Sequence, residues 1–302
     1  MTTTSGPDRV LFEVDPRHRI ATITLNNPKR RNAYDAAMRD TLARHLDRVA
    51  EDDDLTVVLL RGADGVFSTG ADMNNAYGWY GDGGVTGAGA TGKRPDKGRP
   101  SQRRRLTVDR KSFGFYHNFM GFPKVTVGEI SGFALGGGFE MALMTDISVI
   151  ARDTKIGMPA TRFLGPALGS LHMFFHRLGP VLARRLLLTG DVIEAGEVEH
   201  LGIFTETCEP GAVTPRARYW AEKAAKMPAD GVVIAKEAFR LVEQSQVYQG
   251  EEVASYLFHS FGTNLQFAPG EFNFVKTRAE HGTKEAFRQR DEHFHVPEPE
   301  PK

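Results

Sequence analysis

The stretch Gly132-Phe-Ala-Leu-Gly-Gly-Gly-Phe-Glu140 decides the fold that the sequence predicts. Residues 125–131 before it are rich in β-branched types, and residues 139–145 after it are mostly good helix formers. Consecutive glycines therefore lie at a strand-to-helix turn. Glycine lets backbone N–H groups approach a ligand closely, and the start of a helix carries a partial positive charge. The turn favours an oxyanion, and Glu140 lies in the first helical turn, within reach of whatever binds there.

The composition argues against several classes of partner. The 302 residues contain 38 Lys and Arg and 38 Asp and Glu, so the net charge gives no reason to expect nucleic acid or an anionic membrane. The single cysteine, Cys208, excludes an internal disulfide, and we interpret it as a small apolar residue rather than a nucleophile. Residues 1–8 lack a signal-peptide pattern, and runs such as 57–60 are far shorter than the roughly 20 residues of a membrane span. These features predict a cytoplasmic protein.

The first part of the chain reads as an α/β core. Residues 10–14 and 20–25 alternate apolar and polar side chains around a short polar insert, which predicts a hairpin. Strand signals recur near residues 56, 125 and 147, with helical patterns between them. We expect an α/β domain built from stacked ββα turns. One helical pattern, at 106–121, carries a run of aromatic residues and leads into the strand before the glycine turn.

Three boundaries follow from the composition. Residues 1–205 form the predicted core, and within it 78–105 is a basic, glycine-rich insert expected to be flexible. Residues 206–295 are predicted to be helical, and the last helix is expected to run from Phe272 towards Arg290. A further helix is predicted at 194–201, at the end of the core. The Pro- and Glu-rich tail, 296–302, is expected to be disordered.

Several motifs that are typical of other enzyme classes are absent from this sequence. The dinucleotide fingerprint G-x-G-x-x-G, started at Gly136, ends on Met141 instead of glycine, which argues against a doubly wound dinucleotide fold. No G-x-S-x-G surrounds Ser131, and neither H-E-x-x-H nor a P-loop lysine is present. The acidic run Glu51-Asp-Asp-Asp54 is interpreted as a solvated turn, so no metal site is expected.

Two glycine-bearing segments together resemble the crotonase (enoyl-CoA hydratase/isomerase) superfamily. Phe67-Ser-Thr-Gly-Ala-Asp72 precedes the Gly132 to Glu140 stretch by about sixty residues, as in that family. The segment Asn27 to Ala33, the residue Asp146 and the segment Leu188-Thr-Gly-Asp191 agree with further family landmarks. The resemblance covers about residues 10–290, apart from the basic insert.

The resemblance implies an acyl-CoA thioester as substrate and a spiral of ββα turns with a C-terminal helical region used for trimerisation. A homotrimer or a dimer of trimers is expected, with no cofactor apart from the coenzyme A of the substrate. Carried over by position, the backbone N–H groups of Ala71 and Gly137 would bind the thioester carbonyl, and Glu140 would act as acid and base. Substrate-binding positions carried over in the same way are Lys29, Arg30, Gly70, Asp72, Gly136, Ala160 and Thr161. Of these, Lys29 and Arg30 would approach the CoA nucleotide, whereas we interpret Asp72 as fixing its loop.

One departure from the family pattern bears on the chemistry. Hydratases carry a second glutamate after a proline in a loop like Gly157-Met-Pro159, but here Ala160 and Thr161 follow, and neither transfers a proton. The spacing to Gly165 is also one residue longer. Candidate substitutes are Tyr77, Tyr80, Asp82, Arg162 and His172. Their ordinary alternatives are pocket walls for the tyrosines, solvated side chains for Asp82 and Arg162, and a satisfied helix residue for His172.

Three functions remain open at this point. The leading hypothesis is an enoyl-CoA hydratase or isomerase that uses Glu140 as its principal acid and base. The second is a lyase or hydrolase of a specialised acyl-CoA within the same superfamily, which the missing glutamate favours. The third is a non-catalytic acyl-CoA-binding protein that keeps the carbonyl site.

Overall fold

The computed structural model describes residues 8–75, 101–165, 170–248, 251–262 and 267–297. The candidates Tyr77, Tyr80 and Asp82 lie outside the described residues, as do most of the 78–105 insert and the last five residues of the tail.

Two sheets form the core of the fold. The nine strands are β1 Val10–Asp15, β2 Ile20–Leu25, β3 Val57–Gly62, β4 Val125–Ile130, β5 Phe133–Leu135, β6 Ile147–Ala151, β7 Lys155–Gly157, β8 Val192–Glu194 and β9 Glu206–Cys208. The first sheet has the order β1-β2-β3-β4-β6-β9, in which only β1 and β2 are antiparallel. The second sheet has the order β5-β7-β8. The predicted hairpin and the three longer strands that follow it are confirmed.

Helices cover both faces of the larger sheet. They are α1 Ala36–Glu51, α2 Gln102–Met120, α3 Gly137–Met144, α4 Thr161–Leu164, α5 Leu171–Thr189, α6 Val213–Ala225, α7 Ala229–Glu243, α8 Glu251–Gly262, α9 Phe274–His281 and α10 Thr283–His293. Because side chains alternate along a strand, β3 contributes buried side chains to both faces of the larger sheet. Val58 and Leu60 pack into the main core, whereas Val57 and Leu59 pack with α6 residues such as Ala217. Each such side chain contributes about 1.5–3 kcal/mol by its burial.

Three boundaries differ from the prediction. Helix α2 begins at Gln102 rather than at residue 106, because the Ser101 side chain accepts a hydrogen bond from the Arg104 N–H at 3.2 Å and caps the helix earlier. The helix expected at 194–201 is the 3₁₀-helix Ala195–Leu201. The helix expected from residue 272 onward is two helices, α9 and α10, which are separated at Gly282.

Four short strands were missed. Strands β5, β7, β8 and β9 have three residues each, which is too short for an alternating pattern to be visible in the sequence. Strand β5 is the one that matters for function, since it lies between the end of β4 and the glycine turn.

Candidate active site

The two glycine-bearing loops lie side by side. The Ser68 N–H donates to the Phe133 carbonyl at 2.8 Å, and the Leu135 N–H donates to the Ser68 carbonyl at 3.0 Å. These two hydrogen bonds form a parallel bridge between loop 67–72 and strand β5. The second sheet therefore brings together two segments that are about sixty residues apart in sequence.

Gly70 lets the loops approach each other at the site itself. A Cβ atom at this position would lie 2.7 Å from the Leu135 carbonyl oxygen and 2.8 Å from the Gly137 nitrogen, both too close for real atoms. The φ angle of Gly70 is +82°, which also favours glycine. The backbone after Gly70 therefore runs directly beside the start of α3.

Two backbone donors at this junction are left without an acceptor in the part of the chain that the structure describes. Over the described residues, neither the Ala71 N–H nor the Gly137 N–H donates a hydrogen bond. Gly137 is the first residue of α3, where the N–H groups of a helix have no partner within the helix. Two unengaged donors from contacting loops are suited to one oxygen that carries negative charge.

Glu140 lies in the first turn of α3 and is only 6% exposed. Its own N–H donates to the Gly136 carbonyl at 3.0 Å, which fixes the start of the helix. The alternative of a solvent-exposed glutamate that merely stabilises a helix terminus does not hold at this burial. Glu140 is a buried carboxylate one helical turn after the Gly137 donor.

Two tyrosines adjoin the same place, although the sequence assigned no role to either. Tyr34 joins the loop through its backbone, since its N–H donates to the Gly70 carbonyl at 2.9 Å and its carbonyl accepts from the Asp72 N–H at 2.8 Å. Its hydroxyl is hydrogen bonded to that of Tyr116 on α2. Burial, together with the negative charge of Glu140, raises the pKa of both phenols.

Asp72 and Arg30 form an ion pair within the first loop. The Asp72 carboxylate is buried, and it also accepts from the backbone N–H and the side-chain amide of Asn74 at 3.0 and 3.1 Å. The Asp72 carboxylate therefore binds groups of this part of the chain itself, in agreement with a structural role. Lys29 is exposed in the short 3₁₀-helix Pro28–Arg30, and its contact with coenzyme A stays a prediction.

The altered loop at Ala160 adjoins the glycine turn, because the Gly136 N–H donates to the Gly157 carbonyl at 3.0 Å. Ala160 precedes α4 and packs against the core, while the buried Thr161 hydroxyl donates to the Met158 carbonyl at 3.1 Å. The Thr161 hydroxyl is therefore turned to its own loop.

Arg162 differs from the solvated alternative given for it, whereas His172 agrees with the alternative of a helix residue. Arg162 is not solvated, since its side chain is mostly buried and its Nε donates to the Thr189 carbonyl at 3.0 Å. The burial lowers the pKa of its guanidinium. His172 is half-buried in the first turn of α5.

Comparison with known proteins identifies the family of this chain. The enoyl-CoA hydratase/isomerase family profile matches residues 16–91 and 81–284. The chain belongs to the enoyl-CoA hydratase/isomerase family. It is 26% identical to a probable enoyl-CoA hydratase of Mycobacterium bovis, over 90% of this chain and 96% of that protein. It is 27% identical to the 1,2-epoxyphenylacetyl-CoA isomerase of Escherichia coli, over 74% of this chain and 79% of that protein.

Solved structures show the same enoyl-CoA hydratase/isomerase architecture. An enoyl-CoA hydratase of Mycobacterium smegmatis superposes with a TM-score of 0.77 at 29% identity, covering 95% of this chain and 94% of that one. The crotonase-like fold expected from the sequence is thereby confirmed.

The described structure offers no support for a metal site, a membrane-spanning helix or a cysteine nucleophile. Within the described ranges, His, Cys, Asp and Glu side chains form no group of three that could hold a metal ion, and no helix is long and apolar enough to cross a membrane. Burial raises the pKa of the Cys208 thiol, which disfavours the thiolate that a nucleophile requires.

Asn32 supports the first loop in this member of the enoyl-CoA hydratase/isomerase family. It is fully buried with φ +54°, and its side-chain amide donates to the Ala63 and Val66 carbonyls while its oxygen accepts from the Asn27 N–H. Its own carbonyl accepts from the Ser68 hydroxyl at 2.8 Å. Asn32 therefore connects the turn after Pro28 to the loop that carries Ala71.

Replacing Asn32 with Ala is expected to lower the free energy of unfolding by roughly 2–4 kcal/mol, because several buried partners lose their hydrogen bonds. Urea denaturation measures the change. The control is Asn26→Ala, whose side chain donates one exposed hydrogen bond, to the Asp8 carbonyl, and which should cost less than about 1 kcal/mol. Equal stability of the two variants would contradict the role assigned to Asn32.

Proposed function

We propose that this protein acts on an acyl-CoA thioester as an enoyl-CoA hydratase or isomerase. In this proposal the thioester carbonyl accepts hydrogen bonds from the Ala71 and Gly137 N–H groups, and Glu140 transfers the proton. The observation that carries the proposal is a pair of amides from two contacting loops that donate no hydrogen bond to any described residue, with a buried carboxylate one helical turn away.

The two amides would act on the charge that develops during the reaction. Addition of water to an enoyl thioester, or removal of a proton beside its carbonyl, places negative charge on the carbonyl oxygen. Backbone donors already held in place stabilise that charge without reorganisation, and one such donor is worth a factor of about 10²–10³ in rate. Because no side chain is needed for this role, small residues at positions 70, 71 and 137 are compatible with it.

Glu140 would supply the proton chemistry next to that oxygen. As a carboxylate it can take a proton from water during hydration or from the α-carbon during isomerisation, and it can return the proton in the next step. The burial of Glu140 keeps bulk water from competing with that transfer.

The proposal is tested with a panel of 2-enoyl- and 3-enoyl-CoA thioesters of different acyl groups, followed by the absorbance of the conjugated enoyl thioester. Loss of absorbance with a gain of one water in the product mass indicates hydration, and a gain of absorbance from 3-enoyl substrates indicates isomerisation. Absence of turnover on the whole panel would contradict the proposal. Calorimetric binding of the same esters without turnover would identify a non-catalytic acyl-CoA-binding protein.

A lyase or hydrolase of a specialised acyl-CoA is the second candidate, and Ala160 is the observation that favours it. The loop where hydratases carry their second glutamate adjoins the glycine turn here but offers an alanine. Product masses that show C–C or thioester cleavage would favour this candidate, and a hydrated thioester as sole product would exclude it.

We propose that the protein is a homotrimer or a dimer of trimers, and helix α7 supports this. Four of its apolar side chains are more than half exposed in the single chain: Ile234, Phe239, Leu241 and Val242. The helix buries no side chain completely, although Lys236 pairs with Asp146 on the core at 2.6 Å. Such a concentration of exposed apolar surface indicates a protein–protein interface.

Replacing Phe239 with Asp is expected to shift the protein from three or six chains towards a single chain, because a charge would replace apolar surface in the interface. Sedimentation velocity measures the assembly mass. The control is Val296→Asp, an exposed apolar residue outside the helices and strands, which should leave the mass unchanged. A wild-type protein that sediments as a single chain would refute the assembly.

A further inference from the structure

Hydration includes two proton transfers, one from water and one to the α-carbon, and the loop at Ala160 provides no group to share them with Glu140. Glu140 can perform the first transfer. A second group near Glu140 could perform the transfer to the α-carbon. Among the described residues, Tyr34 and Tyr116 are buried side chains whose hydroxyls lie beside Gly137 and whose pKa is raised by the charge of Glu140.

The two hydroxyls lie directly beside Gly137. A Cβ atom built on Gly137 would collide with the hydroxyl oxygens of both tyrosines. Both oxygens therefore lie in contact with the Cα of the residue whose N–H is the proposed carbonyl donor. A thioester carbonyl bound to that N–H would bring its α-carbon, one bond away, to the same neighbourhood.

The surroundings keep both hydroxyls in the protonated form. Tyr34 and Tyr116 are 4% and 7% exposed, and burial with the charge of Glu140 raises the pKa of each, whereas Arg39 acts in the opposite direction. Phenols in this environment donate hydrogen bonds and protons and do not act as bases. An enolate carbon is a strong enough base to accept a proton from them.

We infer that the hydrogen-bonded hydroxyls of Tyr34 and Tyr116 are the second proton-transferring group of this site, in place of the glutamate missing at position 160. The inference rests on the proposed function. Tyr34, whose backbone is fixed to the Gly70 loop, gives the proton, and Tyr116 supports it through the shared hydrogen bond.

The step balances without a further reactant. Glu140 removes a proton from water, the water oxygen bonds to the β-carbon, and the electrons of the C=C bond move into the enolate. The enolate α-carbon then takes the proton of the Tyr34 hydroxyl. The Tyr34 phenoxide is reprotonated by the carboxyl group of Glu140, directly or through Tyr116, so one water is added and both groups return to their initial state.

The test compares Tyr34→Phe, Tyr116→Phe and Glu140→Gln on a substrate that the wild-type enzyme turns over. Tyr34→Phe is expected to lower kcat about 10²-fold or more with little change in KM, and Tyr116→Phe is expected to lower it about tenfold. The control is Tyr219→Phe, an exposed tyrosine on α6, which should retain wild-type rates. Thermal unfolding of each variant separates loss of activity from loss of folding.

A second measurement distinguishes proton transfer from a structural role. The α-proton of the product acyl-CoA is exchanged against D₂O and followed by NMR, and Tyr34→Phe should slow this exchange by the same factor as turnover. Unchanged exchange and turnover in Tyr34→Phe, with both lost in Glu140→Gln, would overturn the inference and leave the proposed function intact. A wild-type protein that shows neither turnover nor exchange would overturn both.

Discussion

Replacement of Glu140 by Gln is expected to reduce kcat on the preferred acyl-CoA by about 10²- to 10⁴-fold, with a much smaller change in KM. Glutamine keeps the shape of the side chain and its hydrogen-bonding capacity, but it cannot take a proton. The loss should therefore fall on the chemical step rather than on binding. Initial rates over a range of substrate concentrations measure both constants.

The stability of the Glu140→Gln variant is expected to stay the same or to increase, although its activity falls. Glu140 is a buried carboxylate, and a neutral amide of the same size costs less to bury. We expect an unchanged or higher Tm together with the loss of activity, as is typical of residues retained for function at some cost in stability. The matched control is Glu13→Gln on strand β1, which is exposed and should change neither quantity. Full activity in Glu140→Gln would remove this residue from the mechanism.

Replacement of Ala71 by Pro is expected to lower kcat/KM by about 10²- to 10³-fold, because proline has no N–H to donate to the thioester carbonyl. The fold should accept this change better than most proline substitutions. The hydrogen bonds that join this loop to Tyr34 use the Gly70 carbonyl and the Asp72 N–H, and none of them uses the Ala71 N–H. A proline at such a position removes no hydrogen bond between the residues that the structure describes.

The control for Ala71→Pro is Ala71→Gly, which keeps the N–H group and should retain most of the activity. Circular dichroism and Tm show whether the proline variant remains folded, and calorimetry with free coenzyme A, which has no acyl carbonyl, shows whether the rest of the ligand still binds. A folded Ala71→Pro variant with wild-type kcat/KM would refute the carbonyl site. The equivalent substitution at Gly137 is less informative, because any Cβ there collides with Tyr34 and Tyr116.

The parts of the site that the sequence predicted are those encoded locally. The glycines, Ala71 and Glu140 belong to two short segments, and each segment carries a strand-to-turn signal of its own. The longer strands and most helices are likewise visible from apolar patterns over five or more residues. The short strand β5 has no such period, and its pairing with Ser68 depends on a partner far away in the sequence.

The sequence by itself determined the order of segments that the family shares and the absence of a second glutamate at Ala160, and it predicted the two proposed carbonyl donors. Only the tertiary structure decided which groups meet there. Tyr34 follows a polar loop and Tyr116 lies on an aromatic helix face, and 82 positions separate them, yet their hydroxyls meet at Gly137. Side-chain contacts of this kind depend on how the helix packs against the loop, which no local pattern encodes, and for that reason the partner of Glu140 could not be identified before the fold was known.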